Sequence, residues 1–128
     1  MATPEGVIKN SIMEYLSLLS DGMFWIHDSI GVFDPVKRCY RRRSKYHRNG
    51  VSDILGLYRG KSVAIEVKTP KGRLSPEQDL FLKDFASHGG IAIVARSRED
   101  VIEGIRNAFG AGNSACYTDS SNTDMEDG

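Results

Sequence analysis

The sequence predicts an α/β domain: a mixed β-sheet flanked by helices, in the order α-β-β-β-α-β-α. Three observations carry this. Asp53-Ile-Leu-Gly-Leu-Tyr58 and Ser62-Val-Ala-Ile-Glu-Val-Lys-Thr69 are strand-like runs joined by the short turn Arg59-Gly60-Lys61, which makes a β-hairpin. A helical segment follows, then the apolar run Ile91-Ala-Ile-Val-Ala95, and a crossover helix makes those two strands parallel. Helix-spaced apolar residues also stand at both ends of this core.

Taken in order, Thr3 caps a first helix, Pro4 suits its first position and Glu5 its positive dipole end. Val7, Ile8, Ile12, Tyr15, Leu16 and Leu19 keep helical spacing to about Ser20, and Asp21-Gly22 stops it. Met23 to Ile30 reads as a strand, with Trp25 expected in the core. Gly31 to Asn49 is less regular, with a short strand near Val36–Arg41. After the hairpin, Lys71 to Leu74 is a loop. Ser75 is an N-cap, Pro76 takes the first helical position, and Gln78 closes a capping box. Leu80, Phe81, Phe85 and Ala86 form the apolar face to about His88, and Gly89-Gly90 ends the helix. Ser97 caps a last helix whose Val101, Ile102, Ile105 and Phe109 point inward. Residues 1–109 therefore form one domain. Residues 110–128, rich in Gly, Ser, Asn, Thr and Asp, are expected to be an acidic tail without fixed structure.

Composition excludes several classes. No run of 18 apolar residues offers a membrane span. The opening Met-Ala-Thr-Pro-Glu-Gly is not a signal peptide, and the isolated Cys39 and Cys116 suit reduced thiols, so a cytoplasmic setting is expected. No Cys/His cluster suggests zinc; His27, His47 and His88 lack ligand-like spacing, and only His47 lies near the basic segment. Net charge is zero but uneven. All 17 Lys and Arg precede residue 110, whereas Asp119, Asp124, Glu126 and Asp127 follow it, which leaves residues 1–109 four charges positive. Seven cations (Lys37, Arg38, Arg41, Arg42, Arg43, Lys45 and Arg48) fall within twelve residues, with Tyr40 and Tyr46 interleaved. A solvated loop would explain them; contact with nucleic-acid phosphates suits them better and requires no base readout.

The hairpin holds the chemistry. With Arg59 and Gly60 as the two loop residues, Tyr58 pairs with Lys61 and Asp53 lies opposite Glu66. Facing Cβ atoms are about 4.5–5.5 Å apart, and like charges there destabilise a sheet. Alternation places Glu66 and Lys68 on one face. The neighbouring Val63, Ala64, Ile65 and Val67 read as a strand buried on both sides, so Glu66 and Lys68 need partners or a ligand. A structural ion pair and a divalent metal are both open, and burial favours the metal.

In sequence, Gly50-Val-Ser-Asp53-Ile-Leu-Gly56, Ala64-Ile-Glu66-Val-Lys68-Thr-Pro-Lys-Gly-Arg-Leu-Ser-Pro-Glu-Gln78 and Gly89-Gly-Ile-Ala resemble the virus-type replication-repair nuclease (VRR-NUC) family of the PD-(D/E)xK superfamily. The likeness covers residues 3 to 105 in layout and is dense from 50 to 95. Ser52 departs from it, since the family usually has proline there. The resemblance implies a restriction-endonuclease-like core and a metal-dependent phosphodiesterase. Asp53 and Glu66 would bind Mg²⁺ or Mn²⁺ with the Val67 carbonyl, and Glu5 would bind a metal directly or through water. Lys68 would orient or activate the attacking water, or stabilise the phosphorane charge, and Gln78 would position the water or the lysine. Lys71 and Arg73 would touch the scissile strand. Free-standing members resemble Holliday-junction resolvases, which implies branched DNA as substrate, a homodimer, and a bacterial or phage-infected host cytoplasm. Two alternatives remain: a nucleic-acid-binding module or subunit without its own catalysis, and a restriction-type or single-strand nuclease on the same core.

Overall fold

A computed structural model describes residues 3–27, 32–41, 45–110 and 116–119. The elements run α1 (Pro4–Ser17), β1 (Gly22–Ile26), β2 (Val32–Asp34), β3 (Cys39–Arg41), β4 (Ile54–Tyr58), β5 (Lys61–Val67), α2 (Pro76–Ser87), β6 (Ile91–Ala95), α3 (Arg98–Gly110) and β7 (Cys116–Asp119). The main sheet has the order β1-β4-β5-β6-β7, and β2 and β3 form a separate antiparallel ribbon. The β1, β4 and β5 pairings are antiparallel; β5, β6 and β7 are parallel. The mixed sheet flanked by helices is the one expected from the sequence, and the short strand expected near Val36–Arg41 is half of the ribbon.

The hairpin register is set by its turn. Arg59 and Gly60 have φ of 50° and 81°, the pair of left-handed residues that a two-residue hairpin turn requires and that glycine accepts most readily. Tyr58 therefore pairs with Lys61 and Ile54 with Ile65. The expected register is the observed one.

Alternation along the strands splits the core in two. Ile54, Tyr58, Val63, Ile65, Val67, Ile91 and Ile93 pack with Ile12 and Leu16 of α1 and Val101, Ile105 and Ala108 of α3. Ala64, Ala92 and Val94 face the other way and pack with Leu82 of α2, Leu55, Phe81 and Phe85. The crossover helix α2 packs on that second face and reaches β5, β6 and β7. Small residues on the strands, Ala64 and Ala92, let it approach closely.

Two expectations need correction. The segment after Gly110 is not structureless throughout, because Cys116–Asp119 pairs with β6 as the last strand. Its anchors are polar and local to the fold. Tyr117 donates its hydroxyl to Asp79 at 3.0 Å, and Arg96 donates to Asp119 at 3.0 Å and to the Gly72 carbonyl at 2.8 Å. A four-residue strand inside a Gly/Ser-rich composition has too little pattern to read. Residues 111–115 and 120–128 lie outside the described residues. Trp25 is the second correction: it is 44% exposed and is not core. β1 is the sheet edge, two strands from β5.

Arg96 ties β7 and the loop before α2 to one guanidinium, and its side chain and that of Asp119 are 15% and 14% exposed. Arg96→Ala leaves a mostly buried carboxylate without this partner, so the expected cost is about 1–3 kcal/mol. Urea denaturation measures it, with faster amide exchange at 116–119. Unchanged stability and exchange would refute the bracing role.

Candidate active site

Glu66 is fully inside the protein, 2% exposed, on the α2 face of the central strand β5. Extending the β4–β5 register by one residue puts Asp53 opposite it. Asp53 is held there by both neighbouring strands. Its Oδ2 accepts the Val67 N–H at 2.9 Å, and its own carbonyl accepts the His27 N–H at 2.8 Å. The loop before it is docked by Gly50, whose φ is 77° and whose missing Cβ would meet the Glu77 backbone at 2.4 Å. Only glycine satisfies both conditions.

Gln78 reaches the same carboxylate from the start of α2. Its Oε1 accepts the Ser75 N–H at 2.9 Å while its Nε2 donates to Glu66 Oε2 at 3.1 Å. The capping box is also complete, with Ser75 Oγ accepting the Gln78 N–H at 3.1 Å. One end of the Gln78 amide thus caps the helix while the other bonds Glu66. Lys68 Nζ lies 3.8 Å from Glu66 Oε2, with its side chain 14% exposed.

The electrostatics follow from this packing. Burial and then the Asp53 carboxylate push the Glu66 pKa up to about 9, against the opposing pull of Lys68. Glu5 adds a smaller push in the same direction. Glu66 Oε1 is buried and has no hydrogen-bond partner. A buried acceptor left empty beside a second carboxylate is costly, and a hard divalent cation with oxygen ligands relieves both the vacancy and the repulsion. The donor set thus fits such an ion. Among the described residues no three His, Cys, Asp or Glu side chains are gathered as a metal-binding group. The acidic donors are the pair Asp53 and Glu66, and Glu5 acts from farther away.

The sequence reading missed two residues here. Lys9 Nζ stands 4.0 Å from Asp53 Oδ1, with both side chains 23% exposed. Its one signal is the i, i+4 spacing from Glu5 on α1, which places both on one helix face. His27 continues the β1–β4 register to a position opposite Asp53, and its Nε2 is buried without a hydrogen-bond partner. No sequence spacing pointed to it, because the register had to be known first.

The basic residues divide. Lys71 and Arg73 are exposed on the loop that leaves Lys68, next to the site. Lys37 and Arg38 are exposed at the turn of the ribbon, and Lys45 lies over the Tyr46 ring at 5.1 Å. Arg41 ends β3, with its side chain outside the description, and Arg42 and Arg43 lie outside the described residues. Arg48 is committed to the fold: it pairs with Asp84 at 2.7 Å and covers the Phe81 ring at 5.3 Å. The whole segment 28–52 leaves and returns at the acid end of the sheet, because His27 and Asp53 are bonded to each other.

The model of the VRR-NUC domain matches residues 12–99, about two thirds of the chain. The chain belongs to the VRR-NUC family. It is a nuclease domain of the PD-(D/E)xK type. Nucleases of this VRR-NUC type generally use divalent metal ions. The matched span holds Asp53, Glu66, Lys68 and Gln78; Glu5 and Lys9 precede it, and β7 follows it. No curated protein matches the chain.

Two outcomes are expected of this VRR-NUC site. Glu66 binds a proton more tightly folded than unfolded, so its contribution to stability is full below about pH 4.5 and is lost as pH rises through about 9. Glu66→Gln removes that loss: in metal-free buffer it melts higher than the native protein near pH 9 and about equally near pH 4.5. Equal melting at both pH values would refute the buried charge. Ser52 is fully buried and its Oγ has no hydrogen-bond partner. Restoring the family's proline by Ser52→Pro removes that hydroxyl and restricts the unfolded chain, raising the melting temperature by roughly 4 °C or more. Calorimetry measures it, and a lower melting temperature for both Ser52→Pro and Ser52→Ala would contradict it.

Proposed function

We propose that the chain is a Mg²⁺- or Mn²⁺-dependent endodeoxyribonuclease that hydrolyses phosphodiester bonds in branched or otherwise structured DNA. The observation that carries it is the buried Glu66 beside Asp53, with one carboxylate oxygen unpartnered and Lys68 on the same side. A structural ion pair would satisfy its acceptors; this one leaves an acceptor open.

Asp53 and Glu66 would hold the ion. The Val67 carbonyl is the proposed third oxygen, since an extended residue's C=O leaves the strand on the same side as its N–H, here towards Asp53. A bound divalent ion supplies a water of lowered pKa and neutralises phosphate charge. Lys68 donates to the attacking water or to a non-bridging oxygen, where its charge offsets the negative charge that grows in the transition state. Gln78 fixes the Glu66 carboxylate from a helix start, so that acid keeps one orientation. Lys9 holds the open side of Asp53 and brings a second cation to the phosphate side. Glu5 on the same helix face biases the site towards cations without joining the acid pair. Lys37, Arg38, Arg41, Arg42, Arg43, Lys45, Lys71 and Arg73 would contact the DNA backbone. A homodimer would present two such sites to a four-way junction, with two-fold symmetry matching the substrate's own.

Asp53→Ala or Lys68→Ala is expected to lower the rate of four-way-junction cleavage in Mg²⁺ or Mn²⁺ by about 10²–10⁴-fold, the range for one catalytic group. Plasmid and junction substrates are run in parallel. Unchanged cleavage in either variant, or none by the native protein in either metal, would refute the reading. Calorimetric metal binding that vanishes in Glu66→Ala supports catalysis, and its absence in the native chain favours a binding module without its own chemistry.

A further inference from the structure

The face of the sheet that carries the acids continues past them onto an apolar surface. Trp25 pairs with Leu55, and Leu55 packs on the α2 side, so Trp25 points to the side that holds Asp53 and Glu66. Met23 and Leu57, paired one step further along, share that direction. Met23, Trp25 and Leu57 are 60%, 44% and 43% exposed. The helix on this face, α2, reaches β5, β6 and β7, and these side chains lie on β1 and β4. The patch is contiguous with the site: Trp25 is two residues from His27, the neighbour of Asp53. From strand rise and spacing its Cα lies about 8 Å from that of Asp53. Lys9 and Lys68 stand at the acid-pair end of the patch.

We infer that this patch is a stacking platform for an unpaired nucleobase next to the scissile phosphate, with Trp25 as its centre. The occupant is a single-stranded DNA segment. A continuous duplex shows phosphates and sugar on its outside and has no base face to offer an exposed indole, whereas an unpaired strand does. An apolar aromatic surface one strand away from a phosphate-cutting pair suits a backbone held by cations with a base laid on the ring. The inference rests on the nuclease reading and refines it: the substrate carries unpaired nucleotides at the cut.

Trp25 is the chain's one tryptophan, so its fluorescence reports this patch directly. The protein is titrated with a short oligothymidylate and with a blunt hairpin duplex of the same sequence length, in Ca²⁺ or EDTA to separate binding from cleavage. Expected are saturable quenching by the oligothymidylate, little by the duplex, and a roughly 5- to 100-fold loss of oligothymidylate affinity in Trp25→Ala, the range for one stacked base. Trp25→Phe keeps most of it. Circular dichroism confirms that the variants fold. Absent quenching at saturation, or unchanged affinity in Trp25→Ala, overturns the platform. So does sedimentation in which Trp25→Ala turns a dimer into a monomer, because the patch is then covered by a second copy. None of these outcomes bears on Asp53→Ala, whose cleavage assay tests the nuclease reading separately.

Discussion

One buried carboxylate governs this domain. Glu66 sits in the central strand of the sheet, among residues that are themselves fully buried, with Asp53 facing it across the hairpin. A charge in that place is opposed by desolvation and by its neighbour, and both effects raise its proton affinity. The Lys68 ammonium acts against that, and the Gln78 amide donates to the same carboxylate. Lys68 does not cancel the cost, and Glu66 Oε1 stays unpartnered. The domain thus carries a local cost at Glu66, the usual relation between a functional site and the stability of its scaffold.

The fold supplies the precision that such a site needs. Asp53 is fixed by a backbone N–H of β5 and a carbonyl bond to β1, so three strands determine one side chain. Gln78 is fixed because the same amide must cap α2. Helix capping and site geometry are then one constraint, and a shift of α2 along its axis would disturb both. Gly50 adds the third element by letting the loop before Asp53 lie directly on the backbone of α2. These links are backbone-based, which limits rotamer freedom at the acids.

Much of this was legible in the sequence, and the reasons are local. The Arg59-Gly60 turn fixed a register by counting, and the register alone brought Asp53 to Glu66. Ser75, Pro76 and Gln78 carry their helix start in their spacing. What was not legible depended on the third dimension. Lys9 belongs to a helix that crosses the opposite face and meets Asp53 only at the end of the sheet. His27 is placed by a β1–β4 pairing between segments separated by the basic ribbon. Trp25 has a core residue's composition, and its place on the edge strand leaves it 44% exposed. β7 is held by Tyr117 and Asp119 through side chains on α2 and after β6, a tether with no periodicity to detect.

Arg48 has a place in the fold that its position in a run of cations does not show. In sequence it is one of seven cations in a row of twelve residues, and its neighbours suit a phosphate surface. In the structure its guanidinium is already engaged, by the Asp84 carboxylate at 2.7 Å and by the Phe81 ring beneath it. That pairing ties Arg48 to α2, and Gly50, two residues on, sets the approach to Asp53. The cation furthest along the basic segment is thus joined to α2, while the exposed Lys71 and Arg73 stand on the loop that follows Lys68.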